Sequence, residues 1–128
     1  MWIGVKAPPR VLVFQVLERR GGGWHPVTGG VEGSEEFLEG AKRELQEETG
    51  FDPDQGTFID LEYSYKFEGR FGKAHEHAFG FILAEECAPV IDPSEHLAFE
   101  WVSEEEALKR LQFEPQKDAL KRFLCYLR

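Results

Sequence analysis

The stretch from Gly29 to Phe51, GGVEGSEEFLEGAKRELQEETGF, constrains the fold more than any other part of this 128-residue chain. Gly33 or Ser34 can cap a helix N-terminus, and the two glutamates that follow suit a first helical turn. Gly50 favours the left-handed conformation that ends a helix. Between them, apolar residues recur at helical spacing: Phe37, Leu38, Ala41 and Leu45. The sequence therefore predicts one amphipathic helix that ends at Gly50.

Three glutamates near the end of this predicted helix share one of its faces. At ~100° per residue, Glu44, Glu47 and Glu48 fall within an arc of roughly 100° that borders the apolar stripe. Three like charges this close destabilise a helix unless a cation neutralises them, and Mg²⁺ prefers carboxylate oxygens together with substrate phosphates. Arg43 lies four residues before Glu47, so it can pair with that carboxylate and orient it. A solvated acidic face is the alternative interpretation.

The spacing of this stretch follows the pattern G-x5-E-x7-R-E-U-x-E-E-x-G-U, where U is a bulky apolar residue. Gly29 and Glu35 open the pattern, and Gly50-Phe51 close it. The stretch resembles the Nudix hydrolase signature at every fixed position. The resemblance implies hydrolysis of a diphosphate linked to another group, with Mg²⁺ as the cofactor and Mn²⁺ able to substitute. It also implies a catalytic set of three metal-binding carboxylates and one orienting arginine: Glu44, Glu47, Glu48 and Arg43.

The rest of the chain alternates between strand and helix patterns. Apolar runs and period-two alternation predict five strands: Arg10–Arg19, Trp24–Thr28, Thr57–Phe67, His77–Ala84 and Ala98–Val102. Ser103 and Glu106 form a capping box before a helix over Glu104–Leu111, and a second helix is predicted after Pro115. Glu68–Lys73 is predicted to be a connection. This order predicts one domain over residues 1–128, an α/β/α sandwich with a mixed sheet, and the Nudix resemblance implies the same fold.

A further acid stands outside the signature, in the run His75-Glu76-His77, where a loop is predicted to enter an apolar strand. Nudix enzymes often take another metal ligand or the general base from a position like this, so the resemblance makes Glu76 a candidate for either role. The alternative is a solvated residue at the start of a strand. His75 is a candidate contact for phosphate or for a base, although a surface histidine is the simpler interpretation.

Substrate contacts are expected on either side of the signature. Gly29 and Gly30 let the backbone approach a substrate closely, or they simply make a tight turn. The candidate phosphate-binding cations are Arg19, Arg20, Lys66, Arg70 and Lys73. The candidate stacking rings are Trp24, Phe71 and Phe79. Each of these side chains has a surface or core position as its alternative.

Two further stretches indicate a branch of the family. Trp24–Glu32 and Glu95–Trp101 look like the branch that hydrolyses dihydroneopterin triphosphate and nucleoside triphosphates of the dATP type, and Glu76 falls where that branch places its outlying glutamate. The resemblance implies a pyrophosphohydrolase that leaves a monophosphate and pyrophosphate. Two alternatives stay open: a Nudix hydrolase of nucleotide sugars or dinucleoside polyphosphates, and an inactive Nudix-fold nucleotide-binding module.

Charge and composition limit the partners. A net charge of −9 disfavours extended nucleic acid, which needs a basic stripe. No apolar run reaches the ~20 residues that span a bilayer, and the first ten residues lack the pattern of a signal peptide. The two cysteines, Cys87 and Cys125, form no metal-ligand spacing. We therefore expect a cytoplasmic monomer or homodimer with no membrane partner, and the branch resemblance implies that it acts on a small nucleotide or pterin polyphosphate.

Overall fold

The computed structural model describes residues 1–28, 36–69 and 72–128, with only the backbone of residues 67–69 and 72–74. Its strands are β1 (Trp2–Val5), β2 (Arg10–Val16), β3 (Trp24–His25), β4 (Gly56–Gly69), β5 (Gly72–Leu83) and β6 (His96–Ser103). Its α-helices are α1 (Phe37–Thr49), α2 (Glu104–Arg110) and α3 (Glu114–Leu127). Short 3₁₀ turns lie at Glu18–Arg20 and Pro53–Gln55.

The six strands form one mixed sheet. The hydrogen-bonded order is β3-β2-β1-β5-β4, and β6 pairs with β2. β1 and β5 are parallel, with Trp2 opposite Gly80, whereas the other pairs are antiparallel. β2 is apolar on both faces and its side chains from Val11 to Phe14 are buried, as its pattern predicts.

A hydrophobic core lies on each face of this sheet. On one face, α1 contributes Ala41 and Leu45 to a cluster with Ile3, Phe14 and Phe81. On the other face, α3 packs its whole predicted stripe into a second cluster: Ala119, Leu120, Phe123, Leu124 and Leu127. The predicted α/β/α arrangement is therefore confirmed. In the parts of the chain that the structure describes, no helix is both long and apolar enough to cross a bilayer.

Several predicted boundaries are wrong. β2 ends at Val16, because the chain turns into the 3₁₀ segment Glu18–Arg20 and not into the predicted strand to Arg19. β3 is only two residues long. The predicted connection Glu68–Lys73 is too long, since β4 continues to Gly69 and β5 resumes at Gly72. The four-residue strand β1 has no counterpart in the prediction, because it is too short to show a period.

The ends of the helices were predicted better than the ends of the strands, because capping residues mark them. α1 begins at Phe37 with Glu36 as its N-cap, so the prediction that Glu36 lies in the first turn is wrong, and Gly33, Ser34 and Glu35 lie outside the described residues. Gly50 ends α1 in the left-handed region with φ 75°, as predicted. Ser103 caps α2 by accepting the N–H of Glu106 at 3.3 Å.

β4 contains a bulge that its sequence pattern does not predict. The pairing with β5 shifts register between Asp60 and Ser64, and Glu62 has a positive φ of 53°. Asp60 Oδ1 accepts the N–H of Glu62 at 2.8 Å, which stabilises this left-handed residue locally. The predicted alternation nevertheless holds through Lys66, with Leu61 buried and its polar neighbours exposed.

Candidate active site

α1 carries two acids into the protein interior. Glu44 is 8% exposed and lies directly beside Leu45, which is fully buried. Glu48 follows one turn later and is half-buried. Both acids therefore border the apolar stripe, as the helical spacing predicts. Taking carboxylates out of water is costly, so the position of these two acids indicates a role other than packing.

Glu48 is the most perturbed acid of this group. The pKa of its carboxyl is raised to about 8, first by burial and then by the negative charges of Glu44, Glu95 and Glu47, against a lowering by the amino group of Met1. Its Oε2 atom is buried and has no hydrogen-bond partner among the described residues. An ionised Glu48 needs a cation at this oxygen.

Arg43 binds the outer acid of the helix. Its Nη1 lies 3.1 Å from Glu47 Oε2, and its Nη2 lies 3.9 Å from Glu44 Oε1. The predicted i,i+4 ion pair with Glu47 is therefore present, and the same guanidinium reaches towards a second carboxylate. This contact fixes the orientation of Glu47, whose side chain is 60% exposed.

Glu76 is a buried residue of β5. It is 7% exposed, so the alternative of a solvated residue at the start of a strand is wrong. Tyr65 stands opposite it on β4 and donates its hydroxyl to Glu76 Oε2 at 2.8 Å. The Met1 amino group lies 3.7 Å from the other oxygen. Burial and then the negative charge of Glu76 raise the pKa of Tyr65, so this phenol remains a donor.

The carboxylates fit a divalent cation only in part. Within the three described segments, no group of three or more His, Cys, Asp or Glu side chains is arranged to hold a metal ion. Glu44 and Glu48 nevertheless supply buried oxygens of the kind that Mg²⁺ and Mn²⁺ prefer, and the unsatisfied Glu48 oxygen is a natural ligand. The residues present thus fit a hard cation, with Glu48 as the best-placed ligand.

The structure adds Glu95 to the site. Its charge acts on Glu48 more strongly than that of Glu47 does, although the two residues are 47 positions apart in sequence. Arg20 pairs with Glu95 at 3.3 Å, and Arg19 donates to the Ser94 carbonyl at 3.4 Å. The two predicted phosphate-binding arginines are thus held along the segment that carries Glu95. The one sequence cue was the position of Glu95 at the head of the run EHLAFEW.

The remaining predicted substrate contacts are dispersed. Trp24 packs with the α3-side cluster, and the Arg110 guanidinium covers its ring at 4.6 Å. Lys66 is exposed and pairs in register with His75, whose ring meets Phe37 edge-on at 5.9 Å. Gly29, Gly30, Arg70 and Phe71 lie outside the described residues, as does the side chain of Lys73.

A pocket of about 670 Å³ opens between the first turn of α1 and the strands β4 and β5. We call it the aromatic pocket. Its described walls are Glu36, Phe37, Leu38, Phe58, Asp60, His77 and Phe79. Phe79, a predicted stacking ring, thus belongs to this pocket. Phe37 and Leu38 were predicted as part of the buried stripe, but they are 40% and 39% exposed at its mouth, so that prediction is wrong.

Comparison with known proteins identifies the family. A NUDIX domain model matches residues 5–124. A dihydroneopterin triphosphate diphosphatase from Haemophilus influenzae is 32% identical over 117 residues, which cover 82% of this chain and 73% of that protein. An octanoyltransferase from Myxococcus xanthus is 36% identical over 119 residues, which cover 88% of this chain. The match spans only 32% of that longer protein, so this chain corresponds to about a third of its length.

Solved structures share the fold across nearly the whole chain. The dihydroneopterin triphosphate pyrophosphohydrolase of E. coli superposes with a TM-score of 0.80 at 26% identity, covering 98% of this chain and 93% of that one. The Ap4A hydrolase of C. elegans superposes with a TM-score of 0.85 at 22% identity, covering 98% and 93%. At that identity the second likeness shows the fold alone.

These matches confirm the expectation of a hydrolase that acts on phosphoric anhydride bonds. The domain match covers the acids of α1, Glu76 and Glu95, so the geometry described above belongs to the matched region. The chain is a member of the Nudix hydrolase family.

Proposed function

We propose that the chain, as one catalytic domain, is a Mg²⁺-dependent pyrophosphohydrolase of a pterin or purine nucleoside triphosphate. It would cleave a P–O–P bond to leave a monophosphate and pyrophosphate. The observation that carries the proposal is the buried Glu48 carboxyl, with a pKa raised to about 8 and an oxygen that no described residue satisfies. A buried carboxyl of this kind ionises readily only when a cation binds beside it, so the site suits a cation.

Glu48 and Glu44 would hold the metal, with Glu47 oriented by Arg43 beside them. When bound, Mg²⁺ supplies charge neutralisation for the phosphates, and Mn²⁺ can substitute for it. Arg19 and Arg20 lie along the segment of Glu95 and supply cations for the outer phosphates. Carboxylates that hold a metal ion would position and activate a water molecule, so we propose direct attack by water with no covalent intermediate.

The general base is proposed to be Glu76. Its burial and the 2.8 Å hydrogen bond from the Tyr65 hydroxyl keep the carboxylate in one orientation, which general base catalysis requires. Glu95 is the competing candidate, because its charge is felt at Glu48. Glu76→Gln should lower kcat by ~10²–10⁴-fold if Glu76 is the base. A wild-type rate in that variant, with a large loss in Glu95→Gln, would transfer the role to Glu95.

The substrate class rests on two likenesses. The Haemophilus diphosphatase is matched over most of both chains, and the E. coli pyrophosphohydrolase shares the fold at 26% identity. The net charge of −9 argues against extended nucleic acid, so we propose a small nucleotide or pterin polyphosphate as the partner.

A panel of dihydroneopterin triphosphate, dGTP, dATP, a nucleotide sugar and a dinucleoside tetraphosphate tests the proposal, each with Mg²⁺ and with excess chelator. We expect pyrophosphate as the first product from the triphosphates, ¹⁸O from labelled water in one product, and no turnover in chelator. Orthophosphate as the first product would contradict the bond assignment. Turnover of nucleotide sugars or dinucleoside polyphosphates alone would contradict the substrate class, and full activity in chelator would contradict the metal.

A further inference from the structure

The aromatic pocket is separate from the acids but lies on the same stripe of α1. Phe37 precedes Glu44 by seven residues and Glu48 by eleven, which is close to two and three helical turns. The three side chains therefore lie nearly one above another, at ~10 Å and ~16 Å along the axis from Phe37. A ring joined to a triphosphate through a sugar or a short side chain is long enough to reach from this pocket to the acids.

The walls of the pocket suit a flat ring. Phe37 stacks on His77 with ring centroids 5.3 Å apart and an interplanar angle of 29°, and the centroid of the Phe79 ring lies 5.0 Å from that of the same histidine at a tilt of 54°. Phe58 completes the apolar side. Phe37 is 40% exposed at the first turn of α1, so covering its ring would remove apolar surface from water. A heteroaromatic ring would cover it.

The polar atoms of the pocket are fixed by a hydrogen-bond chain. His77 Nε2 lies 2.6 Å from Asp60 Oδ1, and His77 Nδ1 lies 2.8 Å from Ser64 Oγ. A neutral imidazole satisfies both contacts, since it donates to the aspartate and accepts from the serine. Asp60 Oδ1 also accepts the N–H of Glu62, so this oxygen is saturated. The second oxygen, Oδ2, has no bond to the described residues and remains an acceptor on a 54% exposed side chain.

We propose that the aromatic pocket binds the ring of the substrate and selects a ring whose edge carries an N–H next to an amino group. Pterin and guanine share this edge, whereas adenine offers an amino group beside an acceptor nitrogen. Asp60 Oδ2 and the exposed Glu36 carboxylate would accept from these donors, and the Lys42 ammonium, 6.0 Å from the Phe58 ring centre, would favour the ring carbonyl. The inference rests on the proposed triphosphatase activity and adds ring selectivity to it.

Asp60→Asn is the sharpest test, because it replaces the unbonded Oδ2 with an amide nitrogen and keeps Oδ1 as an acceptor. The amide oxygen can still accept from His77 and Glu62, but the second position becomes a donor that opposes guanine and suits adenine. We expect wild type to prefer dGTP over dATP in kcat/KM, and Asp60→Asn to lower that ratio ~10-fold or more. The matched control is Asp54→Asn, an exposed aspartate of the 3₁₀ turn, which should leave the ratio unchanged.

A ratio near one in wild type, or a ratio that Asp60→Asn leaves within twofold of wild type, would overturn the inference while the triphosphatase activity stands. If wild type hydrolyses neither nucleotide, equilibrium binding of dGMP and dAMP tests the pocket instead, and the proposed function itself fails only if dihydroneopterin triphosphate is not hydrolysed either. Tighter binding of dGMP, weakened in Asp60→Asn and Phe37→Ala, would support it. Equal binding of the two nucleotides, no binding of dGMP, or dGMP binding that both variants retain would overturn it.

Discussion

α1 and α3 are nearly equal in length, 13 and 14 residues, and cover opposite faces of one sheet, yet they use their amphipathic stripes differently. α3 buries every residue of its predicted stripe, and the polar side chain that it buries with them is the uncharged Gln116. α1 buries Glu44 within its stripe and exposes Phe37 and Leu38 at its first turn. α3 thus keeps every charged side chain out of the core, whereas α1 buries a charged residue and exposes two large apolar residues at its first turn.

The contrast separates residues that stabilise the fold from residues that serve the reaction. Proteins depart from consistent patterning mainly at functional sites, where a buried charge or an exposed ring costs stability. Both departures in α1 coincide with a proposed binding function: Glu48 faces the proposed metal site and Phe37 the aromatic pocket. Substitutions in α3 should therefore change stability, and substitutions in α1 should change activity.

Glu48→Gln should produce the largest effect. The amide removes a charged metal ligand, so kcat should fall by at least ~10²-fold in Mg²⁺. In chelator at neutral pH the same variant should melt at a higher temperature than wild type, because burial beside Glu44 disfavours ionisation of Glu48 in the folded state but not in the unfolded state, and the amide does not ionise in either. Pyrophosphate release and thermal unfolding measure the two effects.

Glu39→Gln is the matched control, since Glu39 is an exposed acid in the first turn of the same helix. It should change neither kcat nor the melting temperature. Wild-type turnover in Glu48→Gln would show that Glu48 is not a metal ligand. The burial of this acid in α1 would then have no catalytic meaning.

Phe123→Ala in α3 should have the next largest effect, and on stability alone. Its ring is fully buried against Gly80 and Gly4, at positions where an added methyl group would overlap with it. Truncation should cost about 3–5 kcal/mol of unfolding free energy, measured in urea, with kcat of the folded fraction retained. Tyr126→Ala, an exposed position of the same helix, should cost no more than ~0.5 kcal/mol. A loss of kcat in folded Phe123→Ala would show that the α3 face also serves catalysis.

The sequence predicts the regular parts of both helices because their information is local. The stripe of α3, the left-handed end of α1 at Gly50 and the Arg43–Glu47 pair all follow from spacing within a few residues. The same local logic explains the correct mixed sheet, since alternating strands and helices with apolar runs leave few other architectures.

What the sequence did not predict depends on contacts between distant residues. Glu95 influences Glu48 only because the segment before β6 folds next to the end of α1. The helical spacing predicts that Phe37 is a core residue. It is exposed because the strands beside it leave the aromatic pocket open. The burial of Glu76 depends on its partner Tyr65, which reaches it across a strand pair with a register shift. The spacing of residues within a single helix or strand does not determine these contacts between distant residues.

The pH dependence of stability should also distinguish the two faces. The Glu48 carboxyl has a pKa of about 8 in the folded protein, against an ordinary value of 4.5 for a glutamate in the unfolded chain. Between these values the folded state binds more protons than the unfolded state, so the stability that this group contributes is lost as pH rises from 4.5 through 8. In chelator, the melting temperature of wild type should therefore fall relative to that of Glu48→Gln over this range. The two proteins should differ least below pH 4.5, and a gap that does not change with pH would contradict the burial of this acid.

Arg43→Lys should have the smallest effect and discriminates most finely between the two faces. Arg43 reaches two carboxylates of α1, whereas a lysine ammonium can satisfy only one in a fixed geometry. We expect stability to change by less than ~0.5 kcal/mol, because an exposed i,i+4 pair contributes little. We expect the Mg²⁺ concentration for half-maximal activity to rise ~10-fold.

Arg110→Lys is the matched control on the α3 side, since Arg110 bridges Glu100 and Glu106 at 2.9 Å each. It should alter stability slightly and leave the Mg²⁺ dependence unchanged. If both variants shift the Mg²⁺ requirement equally, general charge and not the orientation of the α1 acids sets metal affinity. If only Arg43→Lys shifts it, the arginine acts through the carboxylates it holds.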